Sequence, residues 1–479
     1  MNVIILLALP LMAAVLSFLA WRRLVPGITV ASCLAVLAVS IQLSGQVVSH
    51  GAVATMPQWI VVDGLSALVL LLIAFVSATA ALFSFGYMAK NAHEPNRLRI
   101  YYANYNLFIF SMLAIPVLVE PTLVWIVVEL TTLCSALLVS FENTREALEA
   151  AWKYVVLSLM GAAVALLGFL VLFAAMKAAG DGMYTWDGLV AAAPHMPPLL
   201  LQTAFLLILV GLGTKVGLVP MHTWLPDAHS QAPSPVCALL SGVETTAVLY
   251  VILRLFPVLK DAPGSHAESW AIAFGLISVG TAAFLLLQVR DYKRMFAFST
   301  VEHMGIILVA VGLGNSAAHY GALYQALSHT LTKSFCFFAA GAALLAVGKR
   351  EIASVRGLIH SSPPAGASLL IGGLAIAGAP PFAVFLSEFS IVKAGLAEGR
   401  HSVVGLLVLF VTIGFFGVLL HVNRMVFGQA NGNSQKQVRL PANCIATLGF
   451  AGLFVIAFGL YMPEPVHRLL LLGVAALER

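Results

Sequence analysis

The sequence predicts an all-α polytopic membrane protein of about fourteen transmembrane helices, and three observations predict it. Of 479 residues, 61% are hydrophobic and only 9% are charged, where a soluble domain carries roughly 25% charged residues. Apolar runs of the ~20 residues needed to cross a bilayer recur from one end to the other. The polar gaps between them are too short to hold a soluble domain. A net charge of +5 on such a chain gives no ground for nucleic-acid binding; its distribution over the loops is the informative quantity.

The runs fall near 2–20, 25–44, 61–86, 100–118, 121–140, 150–176, 198–219, 235–256, 268–289, 294–314, 318–346, 366–395, 402–427 and 442–461. The first has no basic leader and no small-residue cleavage site, so it reads as a retained helix rather than a signal peptide. The third opens at WIVVDGLSALVL, where Asp63 reads as a cap. The fifth, LVWIVVELTTLCSALLV, carries Glu129 in its middle. The sixth begins with ENTREALEAAWKYVV, an amphipathic start in which Glu149 and Lys153 are an i,i+4 pair. The seventh ends in GLGTKVGLVPMHTWLPDAH, with Lys215 beside Gly217 and Pro220 and with His222, Asp227 and His229 just after. The eighth, SGVETTAVLYVILRL, holds Glu244. The tenth, STVEHMGIILVAVGLG, holds His303, and the eleventh, ALYQALSHTLTKSFCFFAAG, holds His329 and Lys333 on one helical face. The twelfth is interrupted at AIAGAPPFAVFLSEFSIV by Gly378, Pro380 and Pro381, with Glu388 following. The second, fourth, ninth, thirteenth and fourteenth runs carry no comparable interruption.

Cysteine chemistry is not indicated. Cys33, Cys134, Cys237, Cys336 and Cys444 stand singly in apolar segments, without CxxC pairing or histidines at ligand spacing, so neither zinc nor an iron–sulfur cluster is implied. No metal site and no phosphate-cradling glycine motif is predicted.

Lys and Arg set the expected orientation. The loops after odd-numbered runs carry Arg22, Arg23, Lys90, Arg97, Arg99, Arg145, Arg290, Lys293, Arg294, Lys349, Arg350, Arg356, Arg424, Lys436 and Arg439. The opposite side carries Lys177, Arg254, Lys260, Lys393, Arg400, Arg468 and Arg479. Fifteen against seven puts both termini on the outer face.

An ionisable side chain at bilayer depth costs several kcal/mol and is a functional candidate by default. Each member of the set has a structural reading alone: Glu129 as hydrogen-bonded glue, His303 as a packing histidine beside Glu302, Lys153 as the partner of Glu149. Together they form two acids, two lysines and two histidines in different or broken runs, the composition of a proton relay. The breaks add a second clue. A discontinuous helix must bury its freed backbone groups in protein or face a water-filled cavity. Paired interruptions five runs apart mark an internal repeat, and an odd offset inverts successive copies.

GTKVGLVPMHTWLPDAHSQAPSPVCALLSG, EHMGI and SHTLTKSF resemble the signatures of the antiporter-like membrane subunits of respiratory complex I. That family also includes Mrp-type cation/proton antiporters and membrane-bound group 4 [NiFe] hydrogenases. The wording VELTTLCSALLVSFENTREALEAAWKYVV looks most like the F-subunit branch of hydrogenase-4 and formate hydrogenlyase complexes. The resemblance runs over roughly residues 60–425. It implies two inverted five-helix repeats, runs 4–8 and 9–13, with runs 7 and 12 broken. The expected organisation is then 1–99, three N-terminal helices; 100–256, the first repeat; 268–427, the second; and 442–479, a C-terminal helix and tail.

The implied function is proton translocation driven by redox chemistry in partner subunits, in a bacterial inner membrane. Glu129 and Lys215 would serve one half-channel, His303, His329 and Lys333 the centre, and Glu388 the other half-channel. Lys153, His222, Asp227 and His229 would support them. Many relatives carry a lysine or histidine in the eighth run; here Glu244, with Thr245 and Thr246, is the only candidate link. Burial disfavours a lysine's charge and a nearby carboxylate restores it, so motion of an acid such as Glu129 would load or eject a proton. The expected partners are other membrane subunits of the family, a peripheral redox arm, protons or Na⁺, and lipid. No cofactor is expected in this chain; NiFe and iron–sulfur centres would lie in partners on the hydrogenase reading. The alternatives are a subunit of a multisubunit Na⁺/H⁺ antiporter, a subunit of an inorganic-carbon accumulating complex, or a non-conducting membrane anchor.

The charge count generates a topological prediction. Reporter fusions at residue 355 should report cytoplasm and fusions after residue 479 the outer face; the reverse pattern would overturn the orientation.

Overall fold

A backbone shielded from water must close its hydrogen bonds within each segment, and all fourteen predicted runs are helical over most of their length. The computed structural model describes residues 2–56, 58–90, 95–180, 182–260, 262, 265–429 and 439–479. Lys436 and the side chain of Lys90, both counted among the loop cations above, lie outside the described residues.

Asn2–Leu19, Val25–His50 and Gly64–Lys90 open the chain, followed by Pro95–Ala114, Pro121–Val139 and Arg145–Ala179. The fourth helix starts ahead of the predicted boundary at residue 100, because Pro95 supplies a fixed φ suited to a helix start. Thr144 caps the sixth by accepting from Ala147 N at 3.1 Å. Further on come Ala267–Gln288, Tyr292–Gly312, Ser316–Val347, His401–Phe427 and Ala442–Leu460. Among the described residues twelve helices are long and apolar enough to cross a membrane, each side of the seventh run's break being taken together. The fourth and twelfth runs are outside that number, one through its polar start NRLRIYYANYN and the other because its halves are short.

Both predicted breaks are present. The seventh run is Pro198–Val216 followed by Trp224–Gln231, and the twelfth is Pro363–Ile376 followed by Ala383–Ala397. Each break holds a cis X–Pro peptide, Val219–Pro220 and Pro380–Pro381. The eighth run contains a feature with no sequence signal: a π-turn, Leu240–Glu244, between Ser234–Leu239 and Thr245–Leu253.

Two departures concern the outer elements. The start of the third run is a strand, Ile60–Val62, paired antiparallel with Val53–Met56, so the all-α expectation acquires one small hairpin. The tail after the last run is an amphipathic helix, Glu464–Leu477. Asp63, expected to cap, accepts from Ser66 N at 3.0 Å and also grips Arg254 through two 2.6 Å hydrogen bonds. Burial alone would push the Asp63 carboxyl up, but the Arg254 guanidinium holds it well below the usual carboxylate range.

Small residues let helices approach closely. The sixth and seventh runs cross at Gly161, Gly168 and Gly211; a Cβ on Gly211 would stand 2.4 Å from Ala165 N. This contact fixes the helix that carries Lys215. Gly211→Val should therefore lower the thermal midpoint of the detergent-purified protein, by overpacking worth about 1–3 kcal/mol. Gly27→Val, with nothing within 4 Å of its Cβ position, should leave it unchanged.

Candidate functional site

Breaking a helix frees backbone groups, and side chains of other helices take them up. At the first break Gly217 adopts φ +90°, a conformation suited to glycine. Its N–H and that of Leu218 bond to Gly213 O at 2.9 and 2.8 Å. Val219 N donates to Ser278 Oγ at 3.0 Å, and the Trp224 indole donates to Thr214 O at 2.7 Å. Lys215 thus leaves a helix whose end is anchored from both sides.

Lys215 is 3% exposed and Glu244 1%, and their charged groups stand 3.2 Å apart. Lys215 also donates to Thr132 Oγ1 and, at 3.4 Å, to Tyr154 Oη. The Tyr154 hydroxyl donates to Glu244 Oε1 at 3.2 Å and lies 2.7 Å from Ser135 Oγ. Glu244, placed by the π-turn, is the ion-pair partner of Lys215. Glu129 is half-buried, and its Oε2 has no hydrogen-bond partner.

The centre lies between the eighth, tenth and eleventh runs. His329 is fully buried, with Nε2 donating to Ser241 O at 3.1 Å and Nδ1 unpartnered. Hydroxyl pairs flank it: Ser241 with Thr300 at 2.6 Å and Thr246 with Thr330 at 3.5 Å. The His303 ring stands 5.2 Å from that of His329. Lys333 points to the tenth run, donating to Phe296 O at 2.8 Å and Ser299 Oγ at 2.5 Å.

His303 joins the centre to the second break. Its Nε2 donates to Ile376 O, 3.1 Å away, a carbonyl at the end of the first half-helix. Its Nδ1 accepts from Gln325 Nε2 at 3.0 Å. Gln325 Oε1 in turn accepts from Ser387 Oγ, next to Glu388 in the chain. Gly378, at φ +76°, passes so close to Glu388 that a Cβ would meet Oε2 at 2.6 Å. Pro381 lies under Gly459 of the last run, whose missing Cβ would sit 2.1 Å from Pro381 O.

The supporting residues divide. Asp227 links Lys153, at 3.2 Å, with Arg294, at 2.6 Å; Lys153 also makes the expected pair with Glu149, at 2.8 Å. These are partly exposed, surface ion pairs. His229 is fully buried, packs 5.3 Å from the Phe337 ring, and has both ring nitrogens unpartnered. His222 is half-buried with Nδ1 unpartnered.

Sequence reasoning missed Tyr154, Gln325 and Ser387, which are ordinary in helical sequence and acquire meaning only from contacts. Glu302 carried a signal, an acid inside the tenth run. It is 5% exposed, and its Oε1 fills the space that a Cβ on Gly414 would need. Among the described residues no group of three or more His, Cys, Asp or Glu is arranged to hold a metal ion.

Comparison with known proteins places this arrangement. The family described as NADH:quinone oxidoreductase/Mrp antiporter, TM, matches residues 120–417. The family described as NADH-ubiquinone oxidoreductase (complex I), chain 5 N-terminus, matches residues 55–99. A hydrogenase-4 component F homolog of Methylacidiphilum infernorum is 37% identical over 414 residues, covering 85% of this chain and 86% of the relative. Among solved structures, a chain of the membrane-bound sulfane sulfur reductase, an archaeal respiratory membrane complex, superposes with TM-score 0.88 and 26% identity. The match covers 99% of this chain and 97% of the other. A chain of the Mrp complex from Dietzia sp. shares the fold with TM-score 0.89 at 19% identity, covering 100% of this chain and 97% of the other.

The ion-pair assignment separates two substitutions. Glu244→Gln strips the buried Lys215 of its counter-charge and should destabilise the protein by about 3–5 kcal/mol. Glu129→Gln breaks no ion pair and should cost less than about 1 kcal/mol. Thermal unfolding of the two purified variants measures the difference, and equal losses would return Glu129 to the pair.

Proposed function

This chain belongs to the antiporter-like membrane-subunit family shared by complex I, group 4 hydrogenases and Mrp antiporters, and from that membership we propose that it is the proton-translocating membrane subunit of a redox-driven complex. The observation that carries the reading is the buried polar line between the two breaks. It runs from Lys215 through Tyr154 to Glu244, past the Thr246–Thr330 and Ser241–Thr300 hydroxyls to His329, then through His303 and Gln325 to Ser387, beside Glu388.

Each chemical role follows from what the group can carry. Lys215 would be the proton carrier at the first break, because parting it from Glu244 would leave an unpaired ammonium in an apolar surround. Glu244 Oε2 and His329 Nδ1 are the unpartnered atoms on the two sides of the hydroxyl pairs, so a water between them would complete the step. Histidine accepts at one nitrogen and donates at the other. Lys333 acts as a charge whose loading state its neighbours feel. Glu129 and Glu388 would serve the two half-channels, and Lys153, Asp227 and His222 would support the mouth of the first.

The reading extends to the complex. Redox chemistry, with NiFe and iron–sulfur centres on the hydrogenase reading, would belong to a peripheral arm and partner subunits. The chain would sit in a bacterial inner membrane with both termini outside, in keeping with the lysine and arginine bias. The relative that names a hydrogenase-4 component supports this assembly over a free-standing antiporter.

The test is proton uptake against redox turnover by the complex in proteoliposomes. Lys215→Ala and Lys333→Ala should reduce uptake by about a hundredfold, the scale of losing a proton-transfer group. His329→Ala should only slow it, because water can replace a ring that merely passes protons. Undiminished uptake by Lys215→Ala would overturn the proposed function; a His329→Ala defect as deep as that of Lys333→Ala would overturn the ranking.

A further inference from the structure

A second built feature lies away from the buried line. Arg290, Arg356 and Arg424 line one cleft of about 300 Å³. They come from three separate segments: the loop after the ninth run, the loop after the eleventh, and the last turn of the thirteenth. Arg290 and Arg424 are exposed; Arg356 donates from Nε to Ala353 O at 3.3 Å and lies beside Gly428 at the end of the thirteenth helix. Glu351 is the carboxylate in the lining, and its Oε2 accepts from Ser354 Oγ at 3.1 Å. Three guanidiniums against one carboxylate leave the cleft positive.

His421 also lines the cleft and is 6% exposed. Its Nε2 donates to Leu286 O at 3.1 Å, which leaves Nδ1 as an acceptor, and that atom is buried without a partner. The three guanidiniums are therefore what the cleft offers a ligand, and they suit anionic oxygens. The thirteenth helix continues the surface into the apolar zone. Phe416 and Leu420 precede Arg424 at four-residue steps and are 63% and 45% exposed, so one helical face carries an apolar stripe that ends in a cation.

We propose that this cleft binds an anionic glycerophospholipid of the phosphatidylglycerol type. The phosphate sits among Arg290, Arg356 and Arg424, and an acyl chain lies along Phe416 and Leu420. Guanidinium groups match phosphate geometry better than lysines would, and basic pockets at the helix ends of membrane proteins take anionic headgroups. An acidic protein segment would satisfy the arginines but has no use for the apolar stripe. This assignment stands apart from proton translocation, since none of these residues lies on the buried line.

The test uses the full chain purified in mild detergent from a membrane containing phosphatidylglycerol and phosphatidylethanolamine, with retained lipid quantified per chain by mass spectrometry. The wild type should retain phosphatidylglycerol preferentially, and Arg290→Gln/Arg356→Gln/Arg424→Gln should lower that retention by at least about tenfold. Arg22→Gln/Arg23→Gln, an equal kind of change in another loop, should keep the wild-type preference. Added phosphatidylglycerol micelles should raise the thermal midpoint of the wild type and not of the triple variant, while phosphatidylcholine raises neither. Equal phosphatidylglycerol retention by wild type and triple variant would overturn the proposal. So would a triple variant that keeps its lipid but sheds a neighbouring subunit, since the cleft would then hold an acidic segment.

Discussion

A helix broken inside an apolar bundle must have every freed N–H and C=O answered, because no water stands ready to do so. Much of the interior follows from that demand. The ninth run sends Ser278 to Val219 N, and Trp224 folds back to Thr214 O. Thr214 precedes Lys215, so the repair of the break also fixes where the lysine starts. At the second break the answer comes from His303, which gives its Nε2–H to Ile376 O. A side chain on the central line is thereby bound to the backbone of a broken helix, and its tautomer is set by that bond.

The Lys215–Glu244 pair is poorly explained as a stabilising device. Taking both charges out of water costs several kcal/mol per ion, and well-packed apolar residues often do as well or better. What keeps the pair tolerable is its shell: Thr132 and Tyr154 on the lysine, and Tyr154 again on the carboxylate. The shell depends in turn on a π-turn at Leu240–Glu244, which adds a residue to one turn and rotates Glu244 inward. Interruptions of this kind weaken a helix locally. Their presence at a buried charge pair fits a site that has to change its charge, rather than one built to hold still.

What was legible in the sequence divides along the same line. Run positions followed from hydropathy, and both breaks from glycine and proline, because these are local properties. Glu129, Lys215, Glu244, His303, His329, Lys333 and Glu388 were legible one by one, since charge inside an apolar run stands out. Their pairing was not. Whether Lys215 meets Glu129 or Glu244 depends on helix rotation, and the π-turn has no marker in LSGVE. Tyr154, Gln325 and Ser387 are unremarkable residues whose roles come from three-dimensional neighbours. The hairpin at Val53–Val62 was missed because Ile60–Val62 reads as the apolar start of a helix.

Gln325 bears on how the central line can work. A carboxamide has donors and an acceptor but no acidic proton to hand on, so it cannot be a station between His303 and Glu388. Its Nε2 donates to His303 Nδ1, and its Oε1 accepts from Ser387. Under the proposed function, a proton arriving at His303 Nδ1 would set two donors face to face. The amide then has to turn, offering Oε1 to the imidazolium and Nε2 to the side of Ser387 and Glu388. Ser387 can yield its bond without loss, since its hydroxyl already reaches Ala383 O at 3.1 Å and Val384 O at 2.9 Å. On that proposal the charge state of His303 would reach the second break by reversal of a hydrogen-bond dipole, with no proton crossing the amide.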